Sequence, residues 1–338
     1  MRELGVHVFL LAASIAAALS AWTGQKGTSD LDRGDLFVWK GQPEDIVRIV
    51  YEGANYKTTI EPKHDAVGSY FSGKYEKSVA PGEQVTTPDN LPAFVNQGDK
   101  PLVMSQTFIA TKAGSKLIKD LAPLKALRAI GRISKDQRAE FGLDAPKTSA
   151  IVTFRNLGAR RLQFGAETLG EKNQYVLDEQ TEQAYVLLGD LARDISQAHE
   201  RLPERDLHAW LDMQPTSARI KGRGRTRNLV RGGPQGSTFW ADSASASKKD
   251  ATATNWMAKI DELRVVAHDP TPQKDRSQVL RIEYARSGEQ QGFLELWKGP
   301  AVENRSHYWV RTEQTRMLAR VFVEQGEQIE QDVNSVLR

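Results

Sequence analysis

Apolar and polar residues alternate along many short segments of this chain, and this pattern predicts β-strands with one buried face. The predicted strands are 45–51, 55–60, 149–155, 161–165, 174–177, 183–188, 217–221, 227–230, 278–284, 292–297, 307–310 and 317–321. Apolar residues at helical spacing predict helices over 113–130, 190–202, 253–267 and 323–337. The stretch 78–100 is rich in Pro, Gly, Asn and Asp and predicts a loop. Short connections between successive strands predict mainly antiparallel pairing.

The order of these elements recurs in the two halves of the chain. Residues 151–154 align with 280–283, 161–164 with 293–296, 175–177 with 308–310 and 179–181 with 313–315. The alternative is the loose self-alignment that any chain of strands and helices allows. We interpret the body as two copies of one module, each a mainly antiparallel sheet with helices on one face, and the predicted fold class is α+β. The predicted parts are a first module 35–202, a linker 203–216 and a diverged second module 217–338.

An uninterrupted apolar run occupies residues 4–22, after the basic residue Arg2. About 17–25 apolar residues span a bilayer as a helix, and the same make-up is typical of a signal peptide. Cleavage after Ser20 places small residues at the required positions. Cleavage one residue later places Leu19 where a small residue is required. We therefore favour an uncleaved signal-anchor over 1–22 and a polar tether over 23–34; a cleaved signal peptide and a buried helix of a cytosolic protein are the alternatives.

Orientation follows from the single basic residue before this run. With Arg2 on the cytoplasmic side, the remainder of the chain faces outward. The sequence therefore predicts a single-pass protein of the bacterial inner membrane with its folded body in the periplasm or extracytoplasmic space.

The amino-acid composition excludes several kinds of functional site. The net charge of +3 comes from 46 basic and 43 acidic residues, which is not the concentrated basic excess of a nucleic-acid-binding surface. The chain has no cysteine, so disulfides, zinc-thiolate sites and thiol nucleophiles are excluded.

Histidine and glycine patterns do not indicate a catalytic or metal site. His64 and His268 each precede an aspartate in a predicted loop, where a solvated turn is the better interpretation than a metal ligand. The glycines of 222–224 and 232–236 lack the strand–turn–helix context of a phosphate-binding loop. We therefore predict that the protein is not an enzyme and has no catalytic residues, cofactor or metal.

The one local concentration of charge is the basic run 221–231. If this run forms a strand, alternate spacing places its basic side chains on one face: Lys221, Arg223, Arg225, Arg227 and Arg231. Trp240 follows in a loop rich in Ser and Ala and is predicted to be exposed. These six residues are the predicted contact surface for an anionic lipid, a polyanionic glycan or an acidic partner; the alternative is a solvated hairpin face.

The hexamer Phe141-Gly-Leu-Asp-Ala-Pro146 has a structural interpretation of its own. Gly142 can take a positive φ that ends a helix or turn, and Pro146 stops helix propagation before the next strand. Together with the helix before it and the strands after it, the hexamer resembles the domain-of-unknown-function family 4340 over about residues 109–210. The second half has His268-Asp-Pro270 in its place, a departure that weakens the resemblance there.

The resemblance implies a membrane and genomic context for the protein, and it identifies no catalytic residue. Members of that family resemble one another in a single N-terminal membrane segment and repeated units, and are encoded beside gliding-motility-type ABC transporters. It thus implies GldG-like auxiliary or permease subunits as partners. The function expected on this basis is a non-enzymatic, membrane-anchored accessory or scaffold subunit of such a complex. The alternative is a cell-envelope module that binds glycan or lipid through the basic run and Trp240.

Overall fold

The computed structural model describes residues 35–80, 84–86, 92–94, 102–210, 213–234, 236–271, 274–302 and 305–338. The predicted signal-anchor 1–22 and tether 23–34 lie outside the described residues. Among the helices of the described ranges, none combines the length and the apolar character that crossing a bilayer requires.

The first half builds a nine-stranded antiparallel sheet. Its strands, with the two short ladders beside it, are β1 (Leu36–Trp39), β2 (Ile46–Glu52), β3 (Tyr56–Asp65), β4 (Gly68–Val79), β5 (Gln84–Thr86), β6 (Pro92–Phe94), β7 (Leu102–Ala110), β8 (Leu124–Ala126), β9 (Arg128–Gly131), β10 (Thr148–Phe154), β11 (Gly158–Glu167), β12 (Gln174–Asp178) and β13 (Gln183–Leu187). The order across the sheet is β7-β4-β3-β2-β10-β11-β12-β13-β9, while β1 pairs with β8 and β5 with β6.

The second half builds an eight-stranded antiparallel sheet. Its strands are β14 (Ser217–Gly222), β15 (Arg225–Gly232), β16 (Phe239–Asp242), β17 (Val265–Asp269), β18 (Ser277–Arg286), β19 (Glu289–Val302), β20 (Arg305–Thr312) and β21 (Leu318–Val321). Their order is β16-β15-β14-β18-β19-β20-β21-β17. The α-helices of the two halves are α1 (Lys112–Leu121), α2 (Lys135–Glu140), α3 (Gly189–Ser196), α4 (Ala198–Arg201), α5 (Ala251–Asp261) and α6 (Val323–Val336).

The two sheets have the same connectivity. Strands that occupy the same position across the two sheets also come in the same order along the two halves of the chain. Across the sheets, β16-β15-β14-β18-β19-β20-β21-β17 corresponds to β4-β3-β2-β10-β11-β12-β13-β9, and β7 is the one additional strand of the first sheet. Between the third strand of each series and its edge strand, β9 or β17, the chain forms a helix, α1 or α5. Another helix follows the hairpin β12–β13 or β20–β21. The mainly antiparallel α+β fold predicted from the sequence is confirmed.

Strand pairing fixes how the two halves align. Leu162 lies opposite Ala150 in the first sheet, and Leu294 lies opposite Ile282 in the second. The predicted match of Leu162 with Leu294 therefore requires Ala150 to match Ile282. The predicted match of 151–154 with 280–283 differs from this by three residues, so the observed strand pairing does not allow both predicted matches.

A smaller error occurs one strand further along. Val176 lies opposite Phe164, and Val310 lies opposite Leu296. If Phe164 matches Leu296 as predicted, Val176 matches Val310, one residue away from the predicted match of 175–177 with 308–310. Alternating strands have apolar residues at every second position, so a sequence alignment can slip without losing its hydrophobic match.

Equivalent turns follow these strands. In the first, the Asp178 carboxylate accepts a hydrogen bond from the backbone of Gln180, and in the second the Thr312 hydroxyl accepts one from Gln314. Both turns contain a residue with positive φ, +56° at Glu182 and +61° at Arg316. The predicted match of 179–181 with 313–315 is thus confirmed in backbone shape.

Two helices are shorter than the sequence predicts. The predicted helix 113–130 ends at Leu121, because Pro123 disfavours helical geometry in the residue before it, and Ala122 is extended. The remainder of that segment forms β8 and β9. The predicted helix 253–267 ends at Asp261, and its last residues form β17 as an edge strand. Tertiary pairing overrides helical spacing in both cases.

Helices cover one face of each sheet. In the first half, α1, α3 and α4 place Leu117, Leu121 and Ile195 against the apolar side chains of the central strands. In the second half, α5 and α6 do the same with Trp256 and Ile329. Each fully buried side chain of this kind contributes about 1.5–3 kcal/mol of transfer free energy.

Candidate functional site

The basic run does not form a single strand. Arg223 and Gly224 both have positive φ, +49° and +74°, and form the two-residue turn of the β14–β15 hairpin. Gly222 lies opposite Arg225, so Lys221 and the later arginines belong to two strands. The prediction of one strand face carrying all five cations is wrong, because a Gly between two charged residues favours a hairpin turn.

Several of the predicted contact residues are held within the second half. Arg227 donates to the carboxylates of Asp242 at 3.0 Å and Asp250 at 2.7 Å, and to the Val336 carbonyl at 2.6 Å. These bonds tie β15 to the start of α5 and the end of α6. Arg227 is therefore a structural residue of the second sheet.

The remaining cations of the run point to different places. Lys221 pairs with Glu283 at 3.0 Å, and Arg223 lies 3.6 Å from Glu330. Arg225 is exposed at the start of β15.

Trp240 is buried, contrary to the prediction. It lies on β16, is only 5% exposed and packs in the core with α5. Its backbone nitrogen donates a hydrogen bond to the Thr254 hydroxyl at 2.9 Å. Arg231 covers the ring at 5.5 Å from its centroid. The Ser/Ala-rich composition that suggested a loop belongs to the residues after this strand.

The hexamer ends the short helix α2, at a place where the sequence predicted the end of a helix or turn. Gly142 has φ +66°, and the Leu143 nitrogen donates to the Arg138 carbonyl, the pattern of a left-handed helix C-terminus. A methyl group on Gly142 would lie 2.9 Å from the Ala166 nitrogen, so the position requires glycine for space as well as for φ. Leu143 then packs with Leu177 on the sheet face opposite to α1.

The histidines of the two predicted loop pairs lie on strands. His64 is exposed on β3 and contacts Ser69, whereas His268 is 5% exposed on β17. Burial lowers the pKa of His268 to about 4, so its imidazole is neutral at pH 7. Within the described ranges, no three His, Asp or Glu residues are grouped as ligands of a metal ion.

A polar junction joins the two halves, and it was not predicted from the sequence. The carboxylate of Glu204, in the linker, accepts hydrogen bonds from the Thr111 hydroxyl and, at 2.8 Å, from the Gln314 amide. Thr111 precedes α1 in the first half, and Gln314 lies in the β20–β21 turn of the second. The Glu204 nitrogen also donates to the Ile109 carbonyl at 2.7 Å. The strands β7 and β17 contact one another at this junction.

The linker is anchored to the second half by a second polar contact. His208 lies 2.7 Å from Glu313 and stacks on Trp210 with ring centroids 3.8 Å apart. Trp210 in turn packs edge-on against Tyr284 at 4.6 Å. The other Glu313 oxygen accepts a hydrogen bond from the Phe293 nitrogen at 2.9 Å.

A cleft of about 910 Å³ lies beside this junction. Its walls come from the β3–β4 turn and α1 of the first half, from the linker around Trp210, and from Gln291 and the β20–β21 turn of the second half. Ligand sites occur preferentially at such boundaries between folded units. We take this cleft as the candidate functional site.

Basic side chains dominate the charge of the cleft. Its lining includes Lys112, Lys116, Lys119 and Arg316, against the two carboxylates of Asp120 and Glu313. Asp120 pairs with Lys116 at 2.7 Å, and hydrogen bonding to that carboxylate raises the Lys116 pKa. Glu313 is already engaged by His208 and a backbone nitrogen.

Sequence reasoning missed this site because its residues are far apart in the chain. Lys112, Lys116 and Lys119 have helical spacing that could have identified a basic helix face. Arg316 and Trp210 lie near that helix face only because the two halves dock against each other. No local sequence pattern predicts this docking.

Comparison of the chain with protein families, with curated proteins and with solved structures finds no match. The resemblance to family 4340 therefore stays a prediction, supported by the hexamer and the order of elements.

Proposed function

We propose that this protein is a non-enzymatic, membrane-anchored subunit of an ABC-type transporter or gliding-type envelope complex, with its two-sheet body in the extracytoplasmic space. The apolar run 4–22 is the proposed anchor, and GldG-like auxiliary or permease subunits are the proposed partners. The body is proposed to be a duplicated module, first copy 35–202 and second copy 217–338.

The observation that supports this proposal best is the repeated connectivity of two sheets that are held at a polar junction. Eight strands in the same order in both halves are what duplication of one module produces. The Glu204 junction fixes the copies relative to each other, so the body presents two related surfaces and the cleft between them in one arrangement. A scaffold that contacts several subunits at once needs such a fixed arrangement.

The alternative function, glycan or lipid binding through the basic run and Trp240, has less to support it. Trp240 is buried, Arg227 donates to three acceptors within the second half, and the run is divided between two strands. A ligand-binding role, if the protein has one, is better placed at the cleft.

Co-purification tests the proposal. The full-length protein with a C-terminal affinity tag is extracted from bacterial membranes in mild detergent, and the proteins retained with it are identified. We expect an ABC-type ATP-binding subunit and its membrane partners in stoichiometric amounts. A variant that lacks residues 1–22 but carries a cleavable signal peptide is the control, and we expect it to lose most of these partners. Retention of no transporter subunit by the full-length protein contradicts the proposal.

A further inference from the structure

The lysines of α1 form a basic wall along the cleft. Lys112, Lys116 and Lys119 are separated by four and three residues and so lie on one face of the helix. Between the first and the last of them the helix rises about 10 Å, at about 1.5 Å per residue. Lys112 and Lys119 are exposed and form no ion pair with any residue in the described part of the chain.

Arg316 supplies a fourth cation from the opposite wall. Its side chain is only 10% exposed, lies 3.3 Å from Asp65 and covers the Tyr70 ring at 5.4 Å from the centroid. Its Nε forms no hydrogen bond to the described residues, despite the nearby carboxylate. Its Nη1 donates to the Glu313 carbonyl, so Arg316 is held at this wall of the cleft by Asp65 and by the β20–β21 turn.

Local rules of helix formation are broken at the start of α1. Lys112 lies in the first turn, where the helix dipole disfavours a cation, and that turn contains no acidic residue. The N-cap Thr111 does not cap the helix, since its hydroxyl donates to Glu204. Such departures concentrate at functional sites, and an anion beside Lys112 would compensate for this one.

The cleft also offers contacts for the uncharged part of a ligand. Trp210 and the exposed Met213 provide apolar surface at the linker, and Gln291 provides an amide whose oxygen has no hydrogen-bond partner among the described residues. Sites for small organic ligands combine apolar surface with a few polar groups in this way, and volumes of about 300–1,000 Å³ are typical of them.

We propose that the cleft binds a small sugar that carries two or more carboxylate or phosphate groups. The anionic groups contact Lys112, Lys116, Lys119 and Arg316, and the sugar rings pack near Trp210. This inference concerns the cleft alone and does not depend on the membrane complex.

Calorimetric titration of the body, residues 35–338 preceded by a cleavable signal peptide and purified from the periplasm, tests the proposal after circular dichroism has shown it to be folded. The probes are trigalacturonate for the carboxylate class, glucose 1,6-bisphosphate for the phosphate class and maltotriose as the neutral control. We expect saturable binding of at least one anionic probe, weaker binding at higher salt, and no binding of maltotriose.

The double variant Lys112→Gln/Lys119→Gln tests the site. Loss of two screened charge contacts should weaken binding of the anionic probe roughly three- to tenfold. The matched control is Lys248→Gln/Lys249→Gln, which removes the same charge from exposed residues that do not line the cleft; we expect it to bind as the wild type does. Absence of binding by both anionic probes, equal binding of maltotriose, or equal weakening by both double variants overturns the proposal.

Discussion

Glu204 is the residue on which the contact between the two halves depends most. One carboxylate oxygen accepts from Thr111 and Gln314, and the other accepts from the nitrogens of Arg205 and Asp206 at 3.1 Å. Removing this acceptor is costly chiefly for the partly buried donors of Thr111 and Gln314, which are poorly placed to bond to water instead.

We therefore expect Glu204→Ala to lower the free energy of unfolding by roughly 1–3 kcal/mol, because several donors lose their acceptor at once. Urea denaturation followed by tryptophan fluorescence measures the change. Asp206→Asn, an exposed position in the same linker, is the control and should change stability by less than about 0.5 kcal/mol. Equal effects of the two substitutions would mean that the junction does not depend on this carboxylate.

His268 makes stability depend on pH. Its pKa falls from 6.5 to about 4 on folding because burial disfavours the imidazolium. Below pH 6.5 the unfolded chain binds a proton that the folded chain does not, so stability is full above pH 6.5 and is lost as the pH falls towards 4. We expect this residue to account for roughly 1–3 kcal/mol of the loss.

Urea denaturation at pH 7.5 and pH 4.5 measures this effect as a difference between proteins. The His268→Asn variant should lose less stability between these pH values than the wild type does. The exposed His64 serves as the control, and His64→Asn should keep the wild-type dependence. If His268→Asn and the wild type change in parallel, the buried imidazole is not the cause.

At the scale of elements, the strands were the most predictable part of this protein and the helix ends the least. Strands 148–154 and 277–286 were found within a few residues, because alternation reports a half-buried strand directly. The helix 113–130 was predicted too long, because its second half also has helical spacing but pairs as β8 and β9. The strands β4 and β7 were not predicted, since their many polar residues obscure the alternation.

The candidate site was less predictable than the elements that carry it. Gly142 was correctly assigned a positive φ because a helix end and a glycine coincide in the sequence. The cleft, in contrast, requires the docking of α1 against the linker and the β20–β21 turn, and these contacts join residues about 100 to 200 positions apart. Trp240 was misjudged because the composition around it obscured a four-residue strand.

The end of α2 gives a direct test of the glycine argument. Gly142→Ala should lower the free energy of unfolding by about 2–4 kcal/mol, because the methyl group both strains a positive φ and meets the Ala166 backbone. Gly158→Ala is the matched control: its φ is +70° but no atom lies within 4 Å of the added methyl, and we expect a loss of about 1 kcal/mol. Thermal or urea denaturation distinguishes these outcomes, and equal losses would remove the steric part of the argument.

At the scale of the whole molecule, two sheets of the same connectivity meet at a polar junction and leave a basic cleft beside it. Each half has its own apolar core, so either half can supply most of its own stability. The junction adds to this stability and sets how the halves are oriented. The proposed role needs this body to be outside the cytoplasm and held at the membrane.

Protease accessibility in intact spheroplasts tests that requirement most directly. The full-length protein is expressed with a C-terminal epitope, spheroplasts are treated with protease, and a cytoplasmic protein serves as the protected control. We predict that the protein sediments with membranes and that the epitope is removed while the cytoplasmic control stays intact. Recovery of an intact protein in the cytosolic fraction, or an epitope protected until the spheroplasts are lysed, would contradict the proposal.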